Sequence, residues 1–331
     1  MLSALQKFRK GTHFFLLATI VIISIFLTVD TARFLTLSNL FNLLTSYAYL
    51  GILSAGLLVV LISGAIDISF TATAAISQYV MMSVCLAYGG DWVIAFLVAG
   101  AVGIVLGAIN AVLVHYLRIS SIIITIATLN IFFGILIFVT HGDYLDDLPD
   151  WFQKGLTLFT FQGSNGQPFS MSLQIMALTI TFAVTWLMLE RTSLGRQIYA
   201  LGSNPDAAAR LGFNLLRLRL IVFAYMGLLA GIASVIQAQL TMEVSPEALM
   251  GRELDVMAAV VLGGASLAGG VGSVVGTILG VVLLAIIQNG SILMGVSSYW
   301  SQALVGAVII TSVSASAWNA RRGPTGMTVN V

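Results

Sequence analysis

The sequence predicts an all-α membrane protein: one bundle of about ten transmembrane helices with both termini cytoplasmic. Three observations carry that prediction. Hydrophobic residues make up 59% of the 331-residue chain and charged residues only 8%, against about 25% charged in an ordinary soluble domain. Apolar stretches of spanning length recur from the first twenty residues almost to the C-terminus. The remaining charges sum to only +1, yet cations and acids gather in alternate loops, which is how membrane proteins set their orientation.

A bilayer core about 30 Å thick takes roughly 20 helical residues at about 1.5 Å each. That ruler marks spans near 12–30, 46–64, 70–88, 92–115, 120–140, 171–189, 219–239, 254–268, 272–291 and 299–317. The first follows Lys7, Arg9 and Lys10, the layout of a secretory signal. Its apolar run ends in Thr28-Val29-Asp30-Thr31-Ala32-Arg33 without a small-x-small cleavage site, and further hydrophobic segments follow, so it reads as a retained first helix. The eighth span is short. After Trp318, residues 319–331 hold two Arg, Gly and Pro and read as a disordered tail. Residues 1–331 are thus expected to form a single transmembrane domain.

With the N-terminus inside, the inner segments hold Lys7, Arg9, Lys10, Arg118, Arg191, Arg196, Arg210, Arg217, Arg219, Arg321 and Arg322, which is eleven of the fourteen cations. Arg33, Lys154 and Arg252 fall outside, where the loops collect Asp143, Asp146, Asp147, Asp150, Glu243, Glu247, Glu253 and Asp255. The positive-inside rule supports both termini cytoplasmic. Small residues four apart, Gly103/Gly107, Gly227/Gly231 and Gly272/Gly276/Gly280, point to close helix packing in lipid. The lone Cys85 allows neither an intrachain disulfide nor a cysteine metal cluster. His13, His115 and His141 are far apart, with no Glu/His pair at helical spacing and no Ser/His/Asp grouping. Neither catalysis nor a metal site nor a nucleic-acid partner is expected.

Two loops exceed what a connection needs: an outer one near 141–170, and an inner one at 190–218. The inner loop encodes a short helix with complete punctuation. Asn204 is a good N-cap, Pro205 suits the first helical position and Asp206 complements the positive end of the dipole. Ala207, Ala208 and Ala209 propagate it through Arg210 and Leu211, and Gly212 can take the left-handed position after its end. About two turns are too few to be stable alone in water. The helix should be held by a partner, with Ala208 offering the small side chain that close docking wants.

At this loop, and over nearly the whole chain, the sequence resembles the permease subunits of ribose, xylose and galactose type bacterial ATP-binding-cassette importers. The matching elements are Gly195-Arg196, then Tyr199, Ala200 and Gly202, then Asn204-Pro205, then Ala207, Ala208 and Gly212. In that family the loop forms a coupling helix that docks on the ATPase subunit. The stretch Val260 to Thr277 resembles the family's glycine-rich segment between two late spans. It cannot be a P-loop, because no lysine follows Lys154, and Gly270, Gly272 and Gly276 miss the dinucleotide-fold spacing by one residue. Such glycines permit either an irregular turn at membrane depth or tight helix packing. Ser63-Gly64-Ala65-Ile66-Asp67-Ile68-Ser69 resembles the family signature Ser-Gly-Gly-Ile-Asp-Leu-Ser. Asp67 there is either a structural cap or part of a gate. Departures at Ala65, Ile68 and Phe70, and at Ser121, Ile126-Ala127 and Phe133-Gly134, bear on substrate identity.

The resemblance implies an inner-membrane permease subunit that carries a sugar or sugar-like solute inward. Its implied partners are a cytoplasmic ATP-binding subunit or fused double ATPase, a second permease copy or similar permease, and a periplasmic solute-binding protein. ATP and magnesium would sit on the ATPase, and no cofactor on this chain. Candidate gate or pathway residues are Asp67, Ser69, Asn110, Asn130, Gln288 and Asn289; Gln174 and Gln237 are further polar positions inside spans. Helix–helix hydrogen bonding explains the Asn and Gln positions about equally well. Rival readings are a nucleoside or branched-chain amino acid importer of related type, an ATP-independent carrier, and a membrane scaffold. A carrier usually has several intramembrane acids or broken helices, and a scaffold has no use for the capped inner helix.

Overall fold

The computed structural model describes residues 2–31, 33–162 and 168–297, with positions 300, 303, 306, 307 and 310. Among the described residues the regular structure is helical apart from one antiparallel strand pair. The first span is α1 (Leu2–Asp30), and α2 (Leu37–Ser46) and α3 (Ala48–Ile62) form one path bent by 50° at Tyr47. Then come α4 (Phe70–Tyr88), α5 (Trp92–Leu117) and α6 (Ser121–Thr140). The following loop carries the short α7 (Asp150–Gln153) and an antiparallel pair, β1 (Thr157–Gln162) with β2 (Pro168–Ser172). Next, α8 (Leu173–Trp186) ends in a π-helical turn at Leu187–Arg191. Two short helices, α9 (Ser193–Ser203) and α10 (Pro205–Arg210), lead into α11 (Leu215–Thr241), α12 (Glu253–Leu262) and α13 (Val274–Leu293). Side-chain caps fix several starts: Asp91 accepts from the Ile94 amide, Asn214 from that of Arg217 and Ser273 from that of Gly276.

Among the described residues seven helices are long and apolar enough to cross a membrane, or eight if the bent α2–α3 pair is one span. Most of the expected tenth span at 299–317, and the tail 319–331, lie outside the described residues. The expected eighth span takes a different form. With 10 residues, α12 rises only about 15 Å, half a bilayer core. The chain reaches it through residues 242–252, which turn back into the bundle: Val244 exchanges backbone bonds of 2.9 and 3.1 Å with Leu145, and Val244, Ser245 and Leu249 are buried. Pro246 lacks the amide that a continuing helix would use, and Gly263–Gly264 end the helix on its other side.

The centre of the bundle is α3, buried along every residue from Ala48 to Ile62. Its sequence is apolar all round, as a helix enclosed by others must be. Next to it, α5 and α11 cross at backbone contact: a Cβ at Gly103 would overlap the Gly227 carbonyl, and one at Gly231 the Ala99 carbonyl. Likewise Gly276 and Gly280 of α13 lie against the backbone of α12 at Gly263 and Ala259. The glycine spacing therefore does serve close packing in lipid. The outward faces of α1, α5 and α6 expose Phe14, Ile22, Leu97, Ile135 and Phe138, apolar side chains suited to acyl chains.

Candidate functional site: the inner loop, the glycine break and the buried polar cluster

The loop 190–218 is built on α9, which is amphipathic: Leu194, Ile198 and Leu201 recur at helical spacing, and the last two are buried. Thr192 caps it on the Gly195 amide. Gly195 sits against the Met188 and Leu189 carbonyls, where no side chain fits, while Arg196 is exposed. The helix read from the sequence follows as α10. Asn204 Oδ1 accepts from the Ala207 amide at 3.0 Å, Pro205 opens the first turn and Asp206 stands beside it. Gly212 adopts φ +83°, and the Phe213 amide returns to the Ala208 carbonyl at 3.2 Å, closing the end. One feature differs from expectation. Ala208 is 1% exposed and turned into its own chain, so its side chain is not open for docking on a partner. With about 100° between successive helical residues, Asp206, Ala207 and Arg210 take the outer side, and Leu211 is 70% exposed.

The C-terminal end of α9 makes the central contact of the site. A Cβ at Gly202 would overlap the carbonyl of Ile62, the last residue of α3. The Gly270 amide donates to that same carbonyl at 2.9 Å, and the Tyr199 hydroxyl donates to the Gly272 carbonyl at 2.9 Å. Gly64 and Gly269 close in beside Gly202. Three motifs separated by scores of residues thus meet backbone to backbone: the end of α3 with its Ser-Gly-Ala-Ile-Asp-Ile-Ser linker, the inner loop, and the glycine-rich break between α12 and α13.

Beyond this junction lies a buried polar cluster. Asp67 Oδ1 accepts from the Ser69 amide at 2.8 Å and from the Ser69 hydroxyl at 2.7 Å. Asn110 Nδ2 donates to the same hydroxyl oxygen at 2.7 Å, while Asn110 Oδ1 has no partner among the described residues. The linker is further held by Ser121, whose hydroxyl accepts from the Ile66 amide at 2.8 Å, and by Thr125, which donates to the Ile66 carbonyl at 3.2 Å. Asp67 is 2% exposed, with no cation within ion-pair distance among the described residues. Asn110 stands seven residues before the end of α5, roughly 10 Å of helix inward.

Of the candidate pathway residues, Asp67, Ser69 and Asn110 are brought together; the others are not. Asn130 is on the outer side of α6 and donates to the Ile126 carbonyl at 2.8 Å. Asn289 exchanges amide bonds of 3.0 and 3.2 Å with Asn39, tying α13 to α2. Gln288 is half-buried on α13, and Gln174 bonds to Gln239. Two relevant residues escaped sequence reasoning. Thr71, in the first turn of α4, donates to Glu253, the first residue of α12, next to an Arg252–Asp255 ion pair of 3.2 Å. The charge count groups Glu253 and Asp255 with the outer loops; the structure places both in the first turn of α12. Pro246 and Gly251, followed by an apolar run too short to span, were the available signal. Among the described residues no three metal-ligating side chains converge.

The family described as branched-chain amino acid transport system / permease component matches residues 39–313. The ribose import permease of Escherichia coli K12 is 35% identical over 298 residues, covering 90% of this chain and 91% of its own. The ribose import permease of Bacillus subtilis 168 is 32% identical, covering 94% and 92%. The xylose transport system permease of Escherichia coli K12 is 31% identical, covering 91% and 90%. Matched over residues 39–313 by that family and over 90–94% of its length by import permeases, the chain is a transport component, and it belongs to the branched-chain amino acid transport system permease family.

Proposed function

We propose that this chain is the membrane-spanning permease subunit of an ATP-driven importer and moves a sugar or sugar-like solute into the cytoplasm of a bacterial cell. The names of the ribose and xylose relatives support the cargo class. The observation that carries the mechanism is the backbone junction of Gly202 with Ile62 and Gly270. An exposed two-turn helix, α10, sits next to a rigid joint with both helix breaks, so force applied to α10 reaches the membrane interior with little lost in side-chain adjustment.

In this reading residues 190–218 are the coupling loop of a single permease domain. The outer face of α10, with Asp206, Ala207, Arg210 and Leu211, docks on a cytoplasmic ATP-binding subunit or fused double ATPase. ATP and magnesium belong to that partner, and this chain needs no cofactor. Closure of the ATPases displaces α9, shifts the end of α3 and the glycine break, and reopens the bundle. A second permease copy or similar permease completes the pathway, and a periplasmic solute-binding protein supplies the solute. The cluster of Asp67, Ser69 and Asn110, and the separate Thr71–Glu253 pair, exchange hydrogen bonds with hydroxyl groups as they pass. About ten spans with both termini inside fit the charge distribution. The 2.9 Å contact of His13 with Ser273 supports this by putting the start of the first span beside the glycine break.

The test is transport. The chain is expressed with a candidate ATPase subunit and solute-binding protein from the same genome, in cells lacking ribose and xylose uptake, and accumulation of labelled ribose, xylose and leucine is followed. Pentose accumulation that stops when the ATPase is inactivated is the expected result. Leucine accumulation alone would move the cargo to branched-chain amino acids, and uptake indifferent to the ATPase would make the chain an independent carrier.

A further inference from the structure

At the end of the bundle that carries α9 and α10, a cleft of about 600 Å³ opens between the inner loop, the α3–α4 linker and the turn from α5 to α6. Its chemistry is one-sided. Arg118 and Arg219 line it together with Ser63, Ser120, Ser121 and Ser203, and no carboxylate does. Arg219 is half-buried; its guanidinium reaches the Val114 carbonyl at 3.5 Å and His115 Nδ1 at 3.4 Å, both long contacts, and no acid is within ion-pair distance among the described residues. Arg118 is exposed at φ 55°, in the turn that follows α5. Ser121 uses its oxygen to accept from the Ile66 amide, which leaves its hydroxyl proton to give. Ser120 opens α6 without using its side chain as a cap.

We propose that this cleft is a binding site for a phosphate group. Two guanidinium groups with two free hydroxyl donors, and no facing carboxylate, suit a multiply charged oxyanion. Two cations without a facing acid favour an anion over a neutral polyol, so the transported solute is not the intended occupant, and the site does not depend on which solute is carried. The phosphate comes either from an anionic lipid headgroup at the membrane surface or from a soluble phosphate ester. Because Leu201 to Pro205 form one wall and Arg118 to Ser121 the other, an occupant bridges the loop that links to the junction and the turn between α5 and α6, and so resists movement of α9.

The full chain, purified in a non-ionic detergent, is titrated with inorganic phosphate against sodium chloride of equal ionic strength, and its thermal unfolding is followed. A second series adds phosphatidylglycerol to the micelles. Saturable stabilisation by phosphate, with half-saturation weakened about tenfold or more in R219Q or R118Q, is expected for a soluble source, since one lost charge-assisted bond removes about 1.5–3 kcal/mol. Stabilisation by phosphatidylglycerol that depends on the same arginines, with phosphate adding nothing, assigns the site to a lipid headgroup. R118Q and S120A alter exposed side chains and carry the same comparison should R219Q fail to fold. No stabilisation beyond that of chloride in either series, or an equal response in all variants, overturns the proposal.

Discussion

Gly202 lies against the carbonyl of Ile62 so closely that no side chain can stand between them. The contact joins the inner loop to the last residue of the central helix, and the Gly270 amide shares the same acceptor at 2.9 Å. Even one added carbon must push three backbone segments apart. Gly202→Ala is therefore expected to lower stability by about 1–3 kcal/mol, the usual cost of overpacking, and to abolish uptake. Gly212→Ala is the control. Nothing lies within 4 Å of its Cβ position, and only φ +83° opposes it, a strain of about 1 kcal/mol. Thermal unfolding and solute uptake should rank Gly202→Ala as the more damaging of the two; the opposite order would remove the junction from the mechanism.

Asp67 separates a structural role from a charged one. Both of its bonds are accepted from Ser69, at 2.8 and 2.7 Å, and the amide oxygen of asparagine can accept both. Asp67→Asn is expected to fold and transport close to wild type. Asp67→Leu leaves the Ser69 amide and the Ser69 hydroxyl proton without their acceptor in a buried place, at a cost of about 1–3 kcal/mol. Uptake assays with both variants decide the matter: an Asp67→Asn protein that inserts normally yet does not transport would mean that the carboxylate charge itself acts in the gate.

The parts of this molecule legible in the sequence are those governed by local chemistry. Asn204, Pro205 and Gly212 declare a helix start and stop through backbone geometry alone, and α10 has those ends. Apolar length marked most spans, and paired glycines marked the crossing of α5 with α11. What was hidden depends on distant partners. Nothing in the local pattern says that Gly202, Gly64 and Gly270 share one point, because a glycine needed for close approach looks the same as a glycine in a turn. The burial of Ala208 was hidden for the same reason: a small residue permits packing against its own chain as readily as docking on a partner. The half-helix α12 was obscured because Val256 to Val261 are as apolar as any span, and hydropathy does not reveal that the chain enters from within the bundle. The two-stranded hairpin in the outer loop likewise depends on pairing between separate segments.

Orientation can be read by chemical labelling. The only native thiol, Cys85, is buried, so it will not react with a membrane-impermeant maleimide. Asp147 and Ala209 are both exposed, and the cation distribution puts them on opposite sides. In intact cells Asp147→Cys should be labelled and Ala209→Cys should react only after permeabilisation. The reverse pattern would invert the topology and remove α10 from the cytoplasm.

The coupling role of α10 rests on which of its residues face outward. Ala208 is buried and Leu211 is 70% exposed, so the two positions should fail differently. Ala208→Leu adds volume where the helix packs on its own chain; overpacking of about 1–3 kcal/mol should lower the stability of the isolated permease. Leu211→Glu changes only the exposed side, where surface substitutions usually alter stability by no more than about 0.5 kcal/mol. If Leu211 inserts into an ATPase groove, a carboxylate there must be desolvated without a partner. Recovery of the ATPase with the tagged permease should then fall at least about tenfold, the equivalent of about 1.4 kcal/mol. Insertion, unfolding temperature and expression of Leu211→Glu should match wild type while uptake is lost. Loss of ATPase recovery with Leu211→Glu at unchanged permease stability is the specific signature of a docking contact. If Leu211→Glu instead transports and copurifies normally, the exposed face of α10 is not where the ATPase binds, and the inner loop would owe its arginines to lipid headgroups alone.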